Sequence, residues 1–518
     1  MMATLPFGPG ALTFIGLYLL SLLYLGWRGR QAQQENTLKD FYLAGSGIGF
    51  TVLVFTLYAT QYSGNTLFGF TGNAHKNGFG WLVSVHFMTA IIVFYLLFAP
   101  WLHQLAKKHS FITPADYLTH RFASTPLSAL ASVIMIIAAA NYLLAQLIAM
   151  GTAVEVLLVF DVGQGAIPSD PATQHTAHMA FIIGVVLLTI IMLAYETLGG
   201  FRAVAWTDAI QGIILMIGFV ILLGLVINRL GSPGDAIAIL AESKDRLIQP
   251  PDTKGAWTWL SWILVVGIGG ALYPQAIQRI YAANSSNTLR KSLMVMAFMP
   301  LFTTLFALLV GVIGAAQNYD LAKDTYILPA IMREIMADSM IGYCLVVLLA
   351  AAIMAALMST ADSVLLIISA MITKDLYARF INPDASESDL TRLGKWVSLV
   401  VVVLMAGLAV GLYHFRDNNI LITLMKLKFE MLLQLAPGFI LGLHWKNLPS
   451  RAVFAGMIVG LLVAVGLYFG RLAEFNSYKL TGIHEGVWGL LANLVVIGLL
   501  ANNFFSHSSN SKQSAGPQ

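Results

Sequence analysis

Four small or hydroxyl-bearing residues near the middle of a long apolar segment have the spacing of one helical face. They are Ala356, Ser359, Thr360 and Ser363, at positions i, i+3, i+4 and i+7. Hard cations prefer oxygen ligands, and hydroxyl groups combined with carbonyls of an unwound neighbouring helix would suit sodium. The alternative is that these residues only pack and hydrogen bond neighbouring helices.

Asp208 and Asp362 are acidic residues inside apolar segments, where a charge is costly unless it is paired or functional. Asp208 could form a salt bridge with Arg202 near the cytoplasmic end of its helix. Asp362 precedes Ser363 and lies about 60° around the helix from Ser359. Its carboxylate could strengthen a cation site or carry a proton, and both roles stay open. We count Asp362 and Ser363 among the candidate metal ligands.

Two apolar segments contain residues that interrupt helices. One has Ser63-Gly64-Asn65-Thr66 near its middle, and the other has Gly267, Gly269 and Gly270 followed by Pro274. Glycine and proline open the helical backbone, and the freed amides and carbonyls inside a membrane must find partners or line a cavity. A simple kink or a close helix crossing is the alternative for either segment taken alone.

The two breaks supply candidate solute-binding groups. Helix ends at such breaks point positive dipoles inward, which suits a carboxylate. Phe68 and Phe70 could act as lids over the polar groups of the first break, and Tyr273 could act as an inner gate at the second. The candidates at the breaks are Ser63, Asn65, Thr66, Phe68, Gly270 and Tyr273.

A later apolar segment, near residues 419–444, carries Lys426, Lys428 and Glu430 at a depth where lysine is rare. Lys426 and Glu430 are four residues apart and could neutralise each other. The alternative is that one lysine reaches the cavity and binds an anionic group of the solute. Lys428, and Gln434 one turn beyond Glu430, are therefore further candidate substrate ligands.

The composition of the chain indicates a membrane protein. Hydrophobic residues make up 58% of the 518 positions and charged residues 10%, against about 25% charged in ordinary soluble domains. So few polar residues cannot cover a soluble protein of this size. The single cysteine excludes disulfides and thiolate metal clusters. A net charge of +4 without long basic stretches is too small to suggest nucleic acid as a partner, so we expect none.

Apolar runs that are long enough to cross a bilayer, about 20 residues each, predict thirteen transmembrane helices. Lys and Arg are more numerous in the loops that lie inside when the N-terminus is outside, so we predict an outer N-terminus and a cytoplasmic C-terminus in the inner membrane of the cell. The predicted spans lie near residues 11–27, 47–71, 80–101, 126–158, 178–197, 205–228, 257–275, 292–317, 339–372, 394–414, 419–444, 452–470 and 484–504.

The two broken helices are the second and seventh spans. Spans 2–6 and 7–11 then form two five-helix repeats, and the odd number of helices inverts the second repeat. Substrate and ion sites of secondary transporters lie at breaks of this kind. The predicted regions are 1–46 (first span and inner loop), 47–228 (repeat one), 229–256 (outer loop), 257–446 (repeat two), 447–505 (two C-terminal spans) and 506–518 (disordered tail).

Three stretches resemble motifs of the sodium:solute symporter family, which includes sodium/proline and sodium/galactose symporters. Residues 199–211 read GGFRAVAWTDAIQ, residues 355–377 read AALMSTADSVLLIISAMITKDLY, and residues 437–446 read PGFILGLHWK. Shorter similarities are Asp40-Phe41-Tyr42-Leu43 before the second span and Gln278-Arg279 after the seventh. The resemblance covers about residues 38 to 450, and it implies a fold of the leucine-transporter type.

The resemblance also implies a sodium site. Carbonyls at the break in the second span would complete the site formed by the hydroxyl-bearing face, and Asp208 resembles an acid that assists sodium binding in relatives. The sodium ligands and the assisting acid that the resemblance implies are Ala59, Tyr62, Ala356, Ser359, Thr360 and Asp208.

For the solute, the resemblance is less specific. Side chains that match Asn65 and Thr66 touch the substrate in the sugar transporter of the family. Where the proline symporter has Trp and Tyr before its matching proline, this chain has Val266 and Gly270, which argues against a proline-shaped pocket.

We interpret the chain as an all-α integral membrane protein that imports a small organic solute with sodium by alternating access. The expected solute bears a carboxylate, as an amino acid or a small organic acid does. The alternatives are a transporter-like membrane sensor and sodium-coupled uptake of a sugar or vitamin. The sequence contains no convincing enzyme motif, and we expect sodium as the co-transported ion and no obligatory protein partner.

Overall fold

The computed structural model describes residues 9–64, 66–161, 164–317, 319–415, 420–470 and 481–513. Within these ranges the chain forms helices joined by short connections, without a β-strand. The helices of the first half are α1 Pro9–Gln31, α2 Leu38–Leu43, α3 Phe50–Gln61, α4 Thr71–Asn77, α5 Val83–Leu96, α6 Ala99–His109, α7 Pro114–Phe122, α8 Thr125–Val159 and α9 Pro171–Leu230.

Proline and short polar side chains determine where several helices begin. The Asp170 carboxylate accepts a hydrogen bond from the Thr173 amide at 2.9 Å, with Pro171 at the first helical position. The later helices are α10 Pro233–Ser243, α11 Thr253–Ala271, α12 Pro274–Ala282, α13 Ser286–Met296, α14 Met299–Phe302, α15 Thr304–Ala316, α16 Ile327–Asp338, α17 Met340–Ala370, α18 Ala378–Phe380, α19 Glu387–Gly411, α20 Ile420–Leu433, α21 Gly442–His444, α22 Ser450–Gly470 and α23 Glu485–Gln513.

Both helix breaks that the sequence predicts are present. The helix α3 ends before Tyr62, whose backbone is extended (φ −110°, ψ 110°), and a short π-helix, Thr66–Phe70, precedes α4. The helices α11 and α12 are bent by 48° around residues 272 and 273. Pro274 lacks an amide hydrogen and begins α12, so the backbone opens on its N-terminal side.

Gly200 divides the 60-residue helix α9 into two arms. Its φ of 56° and ψ of −150° are not helical, and only glycine adopts this conformation without strain. The bend brings Gly200 against Phe41 of α2. The arms correspond to the predicted spans at 178–197 and 205–228, so α9 is long enough for two crossings.

The number of spans in the described residues differs from the predicted thirteen. Eight helical stretches are long and apolar enough to cross a membrane, or nine if the bent pair of α11 and α12 is one span. Two of the eight, Thr66–Leu96 and Ser286–Ala316, each join several of the helices named above. The helix α3 and the apolar part of α23 are shorter apolar helices, because breaks and polar residues divide the predicted apolar runs. The structure therefore establishes a multi-span helical protein, without fixing the count at thirteen.

The helix α17 forms the centre of the protein. Its side chains from Leu349 to Ala370 are buried, and it packs against α8, α9 and α3. The outer helices instead expose large apolar side chains, such as Leu17 and Leu20 of α1 at 62% and 61%. A surface of this kind is stable in lipid and explains the apolar composition.

The C-terminal region differs in one respect from its prediction. The helix α23 extends to Gln513, so residues 506–513 continue a helix instead of beginning a disordered tail. Extending an existing helix adds one backbone hydrogen bond for each residue fixed, and polar residues can follow an apolar span in this way. Residues 514–518 lie outside the described part of the chain.

Replacing Gly200 by alanine is expected to destabilise the protein. The positive φ costs a residue with a side chain about 1–3 kcal/mol, and a Cβ atom there would lie 2.5 Å from the carbonyl oxygen of Phe41. We expect Gly200→Ala to lower the Tm of the purified protein in detergent.

Gly224→Ala is the matched control in the same helix. A Cβ at Gly224 meets no atom within 4 Å, and alanine is favoured over glycine in a helix by about 0.5–1 kcal/mol. Its Tm should equal or exceed that of the parent protein. Equal losses of Tm in the two variants would contradict the role of Gly200 as the bend.

Candidate functional site

The end of α3 meets the middle of α17 at the hydroxyl-bearing face that the sequence singled out. The Thr360 hydroxyl lies 3.2 Å from the carbonyl oxygen of Ala59 and 3.1 Å from that of Ala356. The Ser359 hydroxyl donates to the Ala356 carbonyl at 3.2 Å. Carbonyl oxygens from two helices therefore converge on Thr360, and its single hydroxyl hydrogen cannot donate fully to both. Tyr62 follows directly where α3 ends.

A buried guanidinium lies beside this face. Arg279 of α12 forms an ion pair with Asp208 of α9 at 2.7 Å, and neither side chain is exposed. The same guanidinium donates to the Thr56 hydroxyl at 2.8 Å, the Gln275 carbonyl at 2.9 Å and the Ser363 hydroxyl at 2.5 Å. The Thr56 hydroxyl donates to Asp208 at 2.5 Å. One arginine therefore connects α12, α3, α9 and α17.

The salt bridge between Asp208 and Arg202 that the sequence suggested as an alternative is not present. Arg202 instead contacts Asp40 of α2 at 2.8 Å. Six residues along a helix correspond to about 240° of rotation, so Asp208 and Arg202 point to different sides of α9. Asp208 has a different basic partner, 71 residues later in the sequence.

Asp362 and Ser363 belong to the polar group around Arg279. The Tyr195 hydroxyl donates a hydrogen bond to Asp362, and Ser363 lies 3.2 Å from the other carboxylate oxygen. Ser363 also donates to the carbonyl of Ser359 at 2.7 Å. The eight candidate metal ligands thus form two adjoining groups, one at the end of α3 and one around Asp208, which Ser363 links.

A cavity of about 30 Å³ lies between the two broken helices. This volume has room for about two water molecules, so a solute requires the lining side chains to move. The polar residues that line it are Gln61, Ser63, Thr66, Tyr142, Tyr273 and Lys428. The apolar residues that line it are Phe70, Phe87, Met88, Ile91, Val266 and Phe429.

Four of the predicted solute-binding residues, Ser63, Thr66, Tyr273 and Lys428, line the cavity. Gly270 lies at its edge, with its carbonyl 3.4 Å from the Gln61 side-chain amide. Asn65 lies outside the described residues.

Two predicted candidates do not line the cavity. Phe68 is buried elsewhere in the π-helix, and Phe70 occupies the position next to the cavity. Gln434 donates to the carbonyls of Glu430 and Gly486 at 3.1 and 3.0 Å and packs against the C-terminal helices. Phe68 and Phe70 are two positions apart and therefore face different directions, whereas Gln434 lies beyond the end of α20.

The lysine in the cavity is surrounded by aromatic rings. The Lys428 ammonium lies 2.9 Å from the ring centroid of Tyr142, 5.0 Å from that of Tyr273 and 4.9 Å from that of Phe429. Tyr142 stacks on Tyr273 at 5.3 Å. Tyr142 also lines the cavity, so a residue of α8 reaches the two breaks.

Sequence reasoning missed Tyr142, Gln61 and the role of Arg279. Tyr142 stands in the long apolar helix α8, and nothing in its local sequence points to the breaks. Gln61 lies directly before the first break, and this position could have identified it as a candidate binding residue. Its amide donates to the Tyr95 hydroxyl at 2.6 Å, which fixes it towards α5.

A model of the sodium:solute symporter family matches residues 41–168 and 172–460. The chain belongs to this family. It is 28% identical to the sodium/pantothenate symporter of Escherichia coli over 92% of each chain. It is 25% identical to the sodium/proline symporter of Haemophilus influenzae, over 96% of this chain and 95% of the relative. The protein is thus a sodium-coupled symporter of the membrane, and not an enzyme.

Solved structures establish the fold. The outward-open structure of a Na⁺-coupled sialic acid symporter superposes with a TM-score of 0.74 at 19% identity, covering 96% of this chain and 98% of the other. The structure of MhsT in complex with L-phenylalanine superposes with a TM-score of 0.53 at 12% identity, covering 88% and 99%. The symporter therefore has a fold of the leucine-transporter type, as the sequence predicted.

Removing the buried arginine is expected to destabilise the symporter strongly. Breaking a buried ion pair by removing one partner costs about 3–5 kcal/mol, because Arg279→Met leaves the Asp208 carboxylate without its cation. Adding Asp208→Asn should recover much of the loss. The measurement is the Tm and the yield of monodisperse protein after size-exclusion chromatography.

The second arginine provides the control for this pairing. Arg202→Met should be rescued by Asp40→Asn and not by Asp208→Asn, since Arg202 contacts Asp40. If Asp208→Asn rescued Arg202→Met as well as it rescued Arg279→Met, the assignment of partners would be incorrect.

Proposed function

We propose that this symporter imports a small solute bearing a carboxylate, and that the solute binds in the cavity between the two broken helices. The observation that carries the proposal is Lys428. This lysine is 3% exposed, its side chain lines the cavity, and a buried cation requires compensation. A carboxylate of the solute would supply it.

Polar groups at the first break would complete the recognition of the solute. Ser63 and Thr66 line the cavity on the side of α3, and Gln61 adds an amide. Tyr273 lies at the second break against Tyr142 and Phe429, a position suited to an inner gate. The named relatives carry pantothenate and proline, and both compounds are carboxylates.

For the sodium ion, we propose the end of α3 and the facing turn of α17. The ligands would be the carbonyls of Ala59, Tyr62 and Ala356 and the hydroxyls of Ser359 and Thr360. The convergence of Thr360 with two carbonyl oxygens supports this site, as does the preference of hard cations for oxygen.

A second group of candidate ligands would influence the sodium ion without coordinating it directly. Asp208, Asp362 and Ser363 adjoin the proposed ion and are held by Arg279 and Tyr195. We propose that they shape the electrostatic field around the sodium ion. Ser363 would transmit this effect through the carbonyl of Ser359.

We further propose that residues 47–228 and 257–446 are inverted repeats, each opening with a broken helix, and that the N-terminus lies outside the inner membrane. The pair of observed breaks supports the repeats. The distribution of Lys and Arg supports the orientation.

Uptake into proteoliposomes tests the proposed function directly. The probes are radiolabelled pantothenate, proline, lactate and glucose, each offered with an inward sodium gradient or an equal potassium gradient. We expect sodium-dependent accumulation of a carboxylate. Accumulation of glucose alone, or equal uptake with potassium, would refute the proposal.

Removing a hydroxyl ligand is expected to weaken sodium binding. Ser359→Ala and Thr360→Ala should each raise the sodium concentration for half-maximal uptake by about tenfold or more, which corresponds to one lost ligand of about 1.4 kcal/mol. Maximal uptake at saturating sodium should fall less. The measurement is the sodium dependence of initial rates in proteoliposomes.

Ser369→Ala is the control on the same helix. Ser369 is buried and donates to the Leu366 carbonyl at 2.8 Å, more than two turns from Thr360. Its sodium dependence should match that of the parent protein. Unchanged sodium dependence in both Ser359→Ala and Thr360→Ala would place the ion elsewhere.

A further inference from the structure

In the part of the chain that the structure describes, the lining of the cavity carries a positive charge and no negative charge. Among the described residues, Lys428 is the charged side chain in the lining, and no aspartate or glutamate accompanies it. The other polar groups, from Gln61, Ser63, Thr66, Tyr142 and Tyr273, are neutral amides and hydroxyls. The cavity therefore offers a partner to an anion and no counter-ion to a cation.

Aromatic rings take the place of a counter-ion for Lys428. Within the described residues its ammonium forms no ion pair, and its contacts are with the faces of Tyr142, Tyr273 and Phe429. Cation–π contacts stabilise a desolvated ammonium only partly. A carboxylate that enters the cavity becomes the first negative charge beside this lysine.

Backbone carbonyls at the breaks are the other groups that could bind an ammonium, and several are already engaged. The Tyr273 carbonyl accepts from the amides of Ala276 and Ile277, both at 3.0 Å. The Ser63 carbonyl accepts from the Thr66 amide at 2.8 Å. The Gly270 carbonyl faces the Gln61 side chain. An ammonium on the solute would find the Gln61 side-chain oxygen as a neutral acceptor but no carboxylate in the lining, and it would lie close to the lysine ammonium.

We propose that the solute is a net-negative organic acid without an ammonium group, and that the cavity rejects zwitterionic amino acids. Its carboxylate binds Lys428, and its neutral hydroxyl or amide groups bind Gln61, Ser63 and Thr66. Its apolar part packs against Phe70 and Phe429. This inference rests on the proposed symport of a carboxylate and narrows the class of substrate.

Matched ligands test the inference on the whole purified protein in sodium buffer. Each set shares one skeleton: an α-hydroxy acid, the α-amino acid, which differs from it at the α position, and the α-hydroxy amide, which differs from it at the carboxyl group. The skeletons are those of lactate, 2-hydroxyisocaproate and 3-phenyllactate, and pantothenate with its alcohol analogue panthenol is added. Thermal shift and equilibrium binding measure affinity.

We expect the hydroxy acid to bind at least about tenfold more tightly than the amino acid of the same skeleton, because like charges brought together are strongly disfavoured. The uncharged amide and panthenol should also bind weakly. An amino acid that binds as tightly as its hydroxy acid, or a panel in which no carboxylate binds, would overturn the inference.

Variants of the lysine show whether it causes the selectivity. Lys428→Met should reduce the affinity ratio of hydroxy acid to amino acid towards one, and Lys428→Arg, which keeps the charge, should preserve a ratio above about five. Lys426→Met is the control, because Lys426 lies over Trp262 at 5.1 Å and does not line the cavity. A ratio that Lys428→Met leaves unchanged would refute the assignment.

The experiment separates this inference from the proposed function. If sodium drives uptake of a zwitterion, the symport of a carboxylate stands and the exclusion of ammonium groups fails. If carboxylates bind selectively but neither binding nor uptake depends on sodium, the selectivity stands and the proposed coupling fails.

Discussion

The buried guanidinium of Arg279 determines much of the arrangement around it. Polar groups in lipid must find their partners inside the protein, and this side chain reaches Asp208, Thr56, Ser363 and the carbonyl of Gln275 at once. It lies on α12, the second half of a broken helix. The position of that half-helix is therefore tied to α3, α9 and α17, and the break before Pro274 is held open at a fixed place.

The helix α3 connects this arginine to the other two parts of the site. Thr56 contacts Arg279, Ala59 lies against Thr360 about one turn later, and Gln61 and Ser63 reach the cavity. Tyr142 of α8 lines the same cavity as Gln61 and Ser63. An ion between α3 and α17 would thus draw on the same short segment that presents polar groups to the solute. A shared segment of this kind would couple the binding of sodium to the binding of the solute, because both would favour the same position of α3.

The features that the sequence predicted correctly depend on short-range patterns. Glycine and proline open the backbone where they stand, which is why both breaks could be located, and helical spacing brought Ser359 and Thr360 to one face. The partner of Asp208 could not be found in this way. Arg202 is near in sequence but points elsewhere, whereas Arg279 comes from another helix. Tyr142 was missed for the same reason, because only tertiary packing brings α8 to the breaks.

The two buried basic residues of the site differ in how they are compensated. Arg279 has a buried partner in Asp208, so its charge is balanced within the protein and contributes to structure. Lys428 has aromatic faces, which a carboxylate can replace without breaking an ion pair. Binding an anion therefore exchanges a weak contact for a strong one, whereas a ligand directed at Arg279 would have to compete with Asp208. The difference in partners supports a structural role for the arginine and the proposed role of the lysine in recognition.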